Sequence, residues 1–589
     1  METPIDYSEY ERGQDCNYWE LDPAIRRTVE RRVGLDEDLE ERLSSFGETV
    51  GRQVSPNADV VADNPPKLRT YDRNGERVNK VNYHPKHLEN EKLVYESGLI
   101  ADLFEAPPGR DDTVSHVEHF ARFYLMEYSS STGLGCPAAM TGGAALLLEK
   151  FDDGSLDEYY DALTARDYDD LETGAMFLTE KQGGSDVGAN DTVAEPTGEE
   201  GVYELTGEKW FCSNIDSGAA LVLARRPDAP EGTEGLSLFM VPNEKRNGEP
   251  NDFLYRRLKD KLGTKSVPTG EVVFEGAEAY LLGETEEGFK YMSEMLNMER
   301  LYNAIGSVSG RALLESRIHV ANRDAFGKKL KNQPLMKRDM VDMTVRHEAA
   351  VEATFEAVEQ FGRREEAERA GETDEHAYRL MRILTPVVKY KTARMAVDNA
   401  SYAMEIKGGD GYVEEFVHPR LLRNAQVTPI WEGASNIMAL DVLRSMASEL
   451  AHRAFVEEFD GRLDKIDDPR LDETVATVRE ELDALSDAFD AMESVEPDIA
   501  QHEAKQLADF IYDVTAAVCL LERAEWRLEE ADDAREKLVA EWFIRDRFET
   551  HDTRGIVEDE RDTTPLEEYD SIVRYDRVAP ERAVAEPTD

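Results

Sequence analysis

The spacing of apolar residues divides the chain into helical and strand-like stretches. Up to about residue 172, apolar positions recur at helical spacing, as in SHVEHFARFYLMEY (115–128) and PAAMTGGAALLLEKF (137–151). From about 173 to 290, short stretches rich in β-branched and aromatic residues, such as VYELTGEKWF (202–211), are separated by Gly, Pro and Asn. This alternation predicts an antiparallel sheet or barrel.

Helical spacing returns after residue 290, beginning with YMSEMLNMERLYNAIGSVSGRALLESRIHVANR (291–323). A Glu- and Asp-rich helical extension follows and ends in the polar tail EPTD. The pattern predicts a mostly α member of the α+β class with four parts. These are an N-terminal helical domain (1–172), a central β-domain (173–290), a C-terminal helical bundle (291–448) and an acidic helical extension (449–589).

The amino-acid composition indicates the salt environment in which the protein works. The 589 residues are enough for three or four domains with ample core. Lys and Arg number 69 against 124 Asp and Glu, a net charge of −55, and the acids are spread along the predicted helices. Concentrated counterions screen such self-repulsion. We therefore expect a protein from a high-salt cytoplasm, with a merely acidic mesophilic protein as the alternative.

The cysteine positions and the hydropathy indicate where in the cell the protein is located. Cys16, Cys136, Cys212 and Cys519 are scattered and form no C-x-x-C pair, so we expect neither a disulfide framework nor a metal site. No apolar run approaches the ~18 residues of a membrane span. The N-terminus METPIDYSEYERGQDC lacks the regions of a signal peptide. We expect a cytoplasmic protein that does not cross a membrane.

The stretch MFLTEKQGGSDV (176–187) has the composition of a loop built around a bound group. Gly183 and Gly184 allow the backbone to approach a ligand closely, and Ser185 adds a hydroxyl group. For this stretch alone, a Gly-rich turn between strands with Ser and Asp as local caps is the alternative.

Taken with four further motifs, this loop resembles the acyl-CoA dehydrogenase family. The resemblance runs from roughly residue 100 to 445, and the motifs occur in the family's order. The further motifs are EKWFCSN (208–214), RDAFGKKLKNQ (323–333), GGDGY (408–412) and PIWEGASNIM (429–438).

The N-terminal half is similar to the AidB branch of that family, the alkylation-response and isovaleryl-CoA dehydrogenase-like relatives. The segments that carry this similarity are DNPPKLRTYDRNGERVNKVNYHP (63–85) and GCPAAMTGGAALLL (135–148). TEKQGG also matches the branch, where most of the family has a Pro-Gly-Ala form. The resemblance implies an N-terminal helical domain, a central β-barrel, a C-terminal four-helix bundle and an extra C-terminal helical domain.

The resemblance implies FAD as cofactor. Hydrogen-bond donors such as the Thr179 hydroxyl would tune the flavin ring, Trp210 would cover it, and the planar fork of Arg323 would match a phosphate. The cofactor-binding positions carried over are Met176, Phe177, Leu178, Thr179, Ser185, Trp210, Phe211, Cys212, Ser213, Arg323, Phe326, Gln333, Glu405, Gly408, Gly409, Gly433, Ala434, Ser435 and Asn436.

Some of these positions could instead have an ordinary structural role. Trp210 is also what a core tryptophan on a strand looks like, and Arg323 next to Asp324 resembles a surface arginine. In the family, Arg323 and Gln333 would reach the FAD of a neighbouring subunit, which implies a homodimer or homotetramer. Most of the family carries Gln at position 405. An ionised Glu405 can only accept hydrogen bonds, and we interpret it as a marker of the AidB branch.

The implied reaction is α,β-dehydrogenation of an acyl-CoA, which needs a carboxylate base in apolar surroundings. Glu432 occupies the position used by most of the family, and we predict that it is the base. Glu299 is the alternative, because the isovaleryl and long-chain branches keep their base there. The predicted substrate-binding positions are Ser185, Asn297, Arg300, Trp431 and Gly433. Trp431, where most of the family has Tyr, favours short or branched acyl chains.

Partners follow from the same resemblance. The family's usual electron acceptor is an electron-transfer flavoprotein. AidB-type proteins are linked to DNA through a basic surface of the C-terminal domain, which gives an alternative function in alkylation defence. Residues 451–589 hold 17 Lys and Arg against 41 Asp and Glu, whereas a phosphate-binding surface should be basic. High salt also weakens such binding. We therefore expect no DNA binding. A catalytically dead scaffold is a third possibility.

Overall fold

The structure is a computed structural model, which describes residues 4–130, 132–548 and 563–580. The predicted EPTD tail lies outside them. The described residues form two compact units. The barrel unit comprises Thr49–Ser115 and Leu125–Tyr302. The bundle unit comprises the described parts of Met1–Glu48, His116–Tyr124 and Asn303–Asp589. The four-domain division at residues 172, 290 and 448 stays a prediction.

Helices dominate the described residues. In chain order they are α1 Tyr18–Leu21, α2 Pro23–Val33, α3 Glu37–Thr49, α4 Ser55–Asp63, α5 Pro85–Tyr95, α6 Ala101–Phe104, α7 His116–Glu127, α8 Gly135–Phe151, α9 Asp157–Leu163, α10 Gly288–Val308, α11 Arg311–Asn322, α12 Pro334–Arg369, α13 Glu375–Lys407, α14 His418–Ala425, α15 Ser435–Glu449, α16 Ala451–Leu463, α17 Asp472–Ser494, α18 Pro497–Ala531, α19 Arg535–Phe548, α20 Thr564–Glu567 and α21 Tyr569–Arg574. Among the described residues, none of these helices could cross a bilayer by length and hydropathy.

The strands lie mostly in the barrel unit. They are β1 Lys67–Tyr71, β2 Arg77–Asn82, β3 Gly174–Phe177, β4 Val193–Pro196, β5 Val202–Ser213, β6 Ala219–Arg225, β7 Leu236–Pro242, β8 Phe253–Leu258 and β9 Thr269–Leu281, with the short pair β10 Asp324–Ala325 and β11 Lys328–Lys329 in the bundle unit.

The predicted central β-barrel is confirmed. The strands pair in the order β6–β4–β5–β9–β7, and β7 pairs with β6 to close the ring. The long strands β5 and β9 run antiparallel from the pair Val202–Tyr280 to the pair Ser213–Thr269. The prediction of an antiparallel sheet was incomplete, because β3 and β4 each pair with β6 in parallel. The long connections from β3 and β4 to β6 make parallel pairing feasible.

Helix α8 packs directly against the barrel. Its residues 137–148 are all buried, as expected of a helix that is enclosed on every side. The backbone N–H of Gly174, the first residue of β3, donates to Thr141 Oγ1 at 3.0 Å. A Cβ at Gly174 would lie 2.9 Å from the Met140 carbonyl oxygen. Only glycine therefore lets β3 lie this close to α8, and this contact fixes where the following loop begins.

The bundle unit is built around α13. This helix packs against α11, α12 and α15, which completes the four-helix bundle predicted from the sequence. The predicted C-terminal extension is also helical, because α18 packs on α12, α13 and α15 and carries α17 and α19.

A buried row of charges joins these helices. Glu348, Glu352 and Glu356 lie one turn apart on α12, and all three are buried. Arg31 donates to Glu352 at 2.7 Å, and Arg462 pairs with Glu356 at 2.9 Å. We call the whole set the buried ion network: Arg27, Arg31, Arg32, Glu348, Glu352, Glu356, Arg462, Arg523, Arg535 and Glu536. Buried charges are costly unless they are paired, so the network holds α2 and the extension on α12.

Candidate active site

The structure brings two of the motif loops together in the barrel unit. The first loop continues from β3, and the second forms the end of β5. The Trp210 backbone N–H donates to the Thr179 carbonyl at 2.8 Å. The Asn214 side chain donates to the Gly174 carbonyl at 2.9 Å. The residues predicted to face a common ligand are therefore neighbours across these two loops.

A buried ion pair that the sequence motifs did not predict, Lys209 with Glu180, anchors both loops. Lys209 is fully buried and donates to Glu180 Oε1 at 2.8 Å and to the Leu223 carbonyl at 2.9 Å. Glu180 also accepts the N–H groups of Asp191 at 2.6 Å and Thr192 at 3.1 Å. Burial raises the pKa of Glu180, but Lys209 and these hydrogen bonds outweigh burial and lower it overall. The sequence hints at this pair only by placing Lys209 next to Trp210 and Glu180 next to Lys181, each within a motif.

Several predicted residues offer groups to a ligand. The hydroxyls of Thr179 and Ser185 make no hydrogen bond within residues 4–130, 132–548 and 563–580. Trp210 is half-buried, with the Lys259 ammonium 3.3 Å from its ring centroid, a cation–π contact. The neighbouring Phe211 is exposed. This edge of the barrel unit therefore presents two hydroxyls and a cationic, aromatic surface.

Other predicted residues of these loops are directed elsewhere. Phe177 and Cys212 are buried in the barrel core, so only their backbone groups could reach a ligand. Met176 and Leu178 are half-buried and pack against the same core. The Ser213 hydroxyl lies 2.9 Å from that of Thr269.

In the bundle unit, the segment predicted to contact phosphates forms a projecting hairpin. Arg323 is exposed at its base, and Phe326 at its tip is 98% exposed with φ 52°. Gln333 donates to the Ala325 carbonyl at 2.9 Å, so its side chain already holds the hairpin. The residues Glu405, Gly408 and Gly409 are exposed.

His319, which the sequence did not single out, lies in the last turn of α11, and its carbonyl accepts a hydrogen bond from the Arg323 N–H at 2.9 Å. Burial lowers its pKa to about 4, assisted by the positive charges of Lys407 and Arg323. The charges of Arg323 and of Lys407, which precedes Gly408, therefore both act on this imidazole. In the sequence, the only hint of this residue is that His319 lies one helical turn before Arg323 of the motif.

The loop that carries Glu432 connects α14 to α15. Glu432 has φ 54°, a left-handed conformation that non-glycine residues seldom adopt. Gly433 follows with φ 105°, and a Cβ there would lie 2.4 Å from Met438 Cε. Ser435 begins α15, while Ala434 and Asn436 are exposed beside it. The loop therefore turns sharply at the predicted base.

Trp431 precedes this base. Its indole N–H is buried and meets no acceptor in the part of the chain that the structure describes. A buried donor without a partner is costly in a folded protein, and such a group is a good candidate for ligand contact.

The alternative base lies in the barrel unit. Glu299 is 4% exposed on α10, and its Oε1 would be 3.4 Å from a Cβ at Gly143 of α8. Tyr302 is one turn further on, where burial and then the charge of Glu299 raise its pKa. Arg300 donates to Asn297 Oδ1 at 3.5 Å. Glu299 therefore has the apolar setting expected of a base, on a helix rather than a loop.

Comparison with known proteins assigns the family. Three family models match in order: the adaptive response protein AidB N-terminal domain over residues 10–170, the acyl-CoA dehydrogenase middle domain over 175–277 and the acyl-CoA dehydrogenase C-terminal domain over 286–447. The putative acyl-CoA dehydrogenase AidB of Escherichia coli (strain K12) is 35% identical over 75% of this chain and 81% of its own length. This chain belongs to the acyl-CoA dehydrogenase family. The predicted resemblance to the AidB branch is confirmed.

One further relative and one solved structure support this acyl-CoA dehydrogenase assignment, and a second solved structure shares the fold. Acyl-CoA dehydrogenase family member 11 of Caenorhabditis elegans is 34% identical over 80% of this chain and 77% of its own length. The crystal structure of Caenorhabditis elegans ACDH-11 in complex with C11-CoA has a TM-score of 0.84 and 30% identity, covering 91% of this chain and 92% of that one. An acyl-CoA dehydrogenase from Bacillus anthracis complexed with FAD shares the fold at 18% identity, with a TM-score of 0.71, covering 91% of this chain and 88% of that one. The chain is an acyl-CoA dehydrogenase-like enzyme.

Proposed function

We propose that this enzyme uses FAD to dehydrogenate the α,β-bond of a short or branched acyl-CoA thioester. The observation that carries this proposal is the loop at Glu432, where a carboxylate is held at φ 54° next to Gly433, whose φ of 105° favours glycine. Backbone strain of this kind clusters at active sites. The loop belongs to an acyl-CoA dehydrogenase C-terminal domain.

The donor groups of the two barrel-unit loops fit FAD. Thr179 and Ser185 offer hydroxyls that the described protein leaves unused, and Trp210 offers a broad aromatic face. In the bundle unit, exposed Arg323 supplies a planar cation suited to phosphate oxygens, and Gly408 leaves backbone accessible. FAD, when bound, supplies an acceptor for the hydride that leaves Cβ.

The protein's own part in the reaction is to remove the Cα proton. Glu432 would take that proton onto its carboxylate while the double bond forms between Cα and Cβ. Hydrogen-bond donors at the thioester carbonyl would stabilise the enolate-like charge that develops on oxygen. A positioned base of this type typically contributes about 10²–10⁴-fold to the rate.

Matched substitutions decide between the two carboxylates. Glu432→Gln keeps the size of the side chain and removes its charge, so FAD should remain bound while anaerobic flavin reduction falls by ~10²–10⁴. Glu299→Gln is equally conservative and should alter affinity or pH dependence only. If Glu299→Gln abolishes reduction and Glu432→Gln does not, the base is Glu299. If neither change slows reduction, the dehydrogenation mechanism is wrong.

Trp431 supports the proposal of short or branched substrates. Its ring is larger than the tyrosine of most relatives and should narrow the acyl slot, while its buried N–H remains available to a ligand. Since the Caenorhabditis elegans relative was crystallised with C11-CoA, the substrate panel should span butyryl-, isovaleryl- and C11-CoA. Faster flavin reduction by C11-CoA than by the two shorter substrates would contradict this part of the proposal.

The exposed hairpin supports a homodimer or homotetramer. Phe326 is 98% exposed, and aromatic side chains are enriched at protein–protein interfaces. Light scattering at high salt tests this, and a monomer that binds FAD fully would contradict it. We also propose an electron-transfer flavoprotein as the electron acceptor, which steady-state assays with that protein would test.

The arginines of the extension argue against the DNA-binding alternative. Arg523 and Arg535 are fully buried in ion pairs with Glu348, and Arg527 pairs with Asp533 at 3.3 Å. These side chains serve internal contacts, so they supply little of the basic surface that phosphate binding requires. Duplex DNA binding that weakens with rising salt would overturn this conclusion.

A further inference from the structure

A buried lysine holds the backbone on both sides of Glu432. Lys389 lies within α13 and is 1% exposed. Its ammonium donates to the Trp431 carbonyl at 2.7 Å and to the Gly433 carbonyl at 2.5 Å. These two residues flank Glu432, so one cation holds the peptide group that joins Trp431 to Glu432 and the peptide group that follows Gly433.

Burying the Lys389 ammonium costs free energy, which suggests that its two hydrogen bonds matter for the loop. A buried ammonium is unfavourable unless strong hydrogen bonds compensate it, and bonds from a charged donor are about twice as strong as neutral ones. The loop also holds Glu432 in a left-handed conformation that most residues avoid. The two bonds from Lys389 oppose its relaxation to an ordinary conformation.

We propose that Lys389 is a positioning residue for the base of this enzyme. By holding the carbonyls of Trp431 and Gly433, it fixes the backbone angles of Glu432 and therefore the direction of its Cα–Cβ bond. That direction determines where the carboxylate stands. This inference rests on the proposed role of Glu432 as the base.

Two variants of the full-length, FAD-loaded protein at high salt test the contact. Lys389→Met keeps the length of the side chain and removes its donors. Lys391→Met is the matched control, because Lys391 lies on the same helix but pairs with Asp509 at 2.6 Å. Hydrogen exchange of the peptide 427–436 should be at least about 10-fold faster in Lys389→Met, because the loop opens more readily. It should be unchanged in Lys391→Met. Unchanged exchange in both variants would overturn the proposal, whatever the activity.

Flavin reduction provides the second readout. Lys389→Met should slow anaerobic reduction by about 100-fold, the effect of a misplaced reacting group. The KM for acyl-CoA should change by less than about 3-fold. Lys389→Arg, which keeps a charged donor, should recover part of the rate. A loss that falls on KM alone, or no recovery with Arg, would contradict a positioning role.

A double-mutant cycle separates positioning from general damage. In the Glu432→Gln background, Lys389→Met should slow the residual reduction by less than about 3-fold, because the carboxylate it positions is already absent. The same large loss in both backgrounds would show structural damage and overturn the proposal. If Glu432→Gln alone leaves reduction intact, the proposed function itself fails. If Glu432→Gln slows reduction and Lys389→Met does not, only the present inference fails.

Discussion

Replacing Arg523 by Met tests how much the buried ion network stabilises the bundle unit. Arg523 is fully buried on α18, donates to Glu352 at 3.5 Å and also pairs with Glu348 and Glu536. Removing one partner of a buried ion pair costs about 3–5 kcal/mol, because it leaves an uncompensated charge. Met keeps most of the apolar volume, so a cavity should add little.

The other arginines of the network place this cost at the lower end. Glu348 keeps Arg535, and Glu352 keeps Arg31 at 2.7 Å. Each carboxylate that pairs with Arg523 therefore keeps at least one other arginine when Arg523 is replaced. We therefore expect the free energy of unfolding of the bundle unit to fall by about 3 kcal/mol.

A half-buried arginine at the surface of the same extension, Arg479, is the control. Arg479 pairs with Asp460 at 2.6 Å and with Asp464 at 2.8 Å on the surface, so Arg479→Met should cost at most about 1 kcal/mol. Urea unfolding at two KCl concentrations compares the variants. The cost of Arg479→Met should shrink as salt rises, whereas that of Arg523→Met should not, because buried charges are poorly screened. A cost below about 1 kcal/mol for Arg523→Met, or a cost with the salt dependence of the control, would refute the reasoning.

Three further outcomes are expected. The protein isolated at high salt should be yellow and release about one FAD per chain; a folded, colourless protein that cannot take up FAD would contradict the proposed function. Transfer to millimolar salt should unfold or dissociate it, because its charge of −55 loses screening; full stability in dilute buffer would argue against a high-salt origin. Acid should also destabilise the bundle unit. Burial raises the pKa of Glu352, but Arg31 and Arg523 outweigh it and lower the value from 4.5 to about 2. The corresponding stability, about 3 kcal/mol, is present above pH 4.5 and lost as the pH falls to about 2. Glu352→Gln should remove this part of the pH dependence in urea titrations.

Much of the fold was readable from local pattern. The apolar stretch of β7 and the mostly apolar helix α8 are buried elements, and their residue types and spacing predict this burial without further context. The parallel pairings of β3 and β4 with β6 were not readable in this way. Pairing partners depend on where the chain returns, and strand sequences of this length do not encode the direction of the neighbour.

The site residues that lie within a sequence motif could be predicted. A residue far away in the sequence that contacts the motif could not. Trp431 and Gly433 stand in the sequence next to Glu432, whereas Lys389 lies 42 residues before Trp431. A lysine within a helical pattern looks like a solvated residue. The orientation of side chains was equally hidden, since Phe177 and Cys212 lie in the motifs but face the barrel core. Only packing reveals such directions.

The buried ion network also constrains the order of events during synthesis. Arg27 is paired with Glu536, 509 residues later in the chain. At translation rates of about 5–20 residues per second, roughly 25–100 s pass between the appearance of the two residues. The barrel unit ends at Tyr302, so its sequence is complete long before that pair can form. Arg27 must meanwhile stay hydrated on the nascent chain, and the bundle unit gains its full set of counter-charges only after Glu536 has been synthesised.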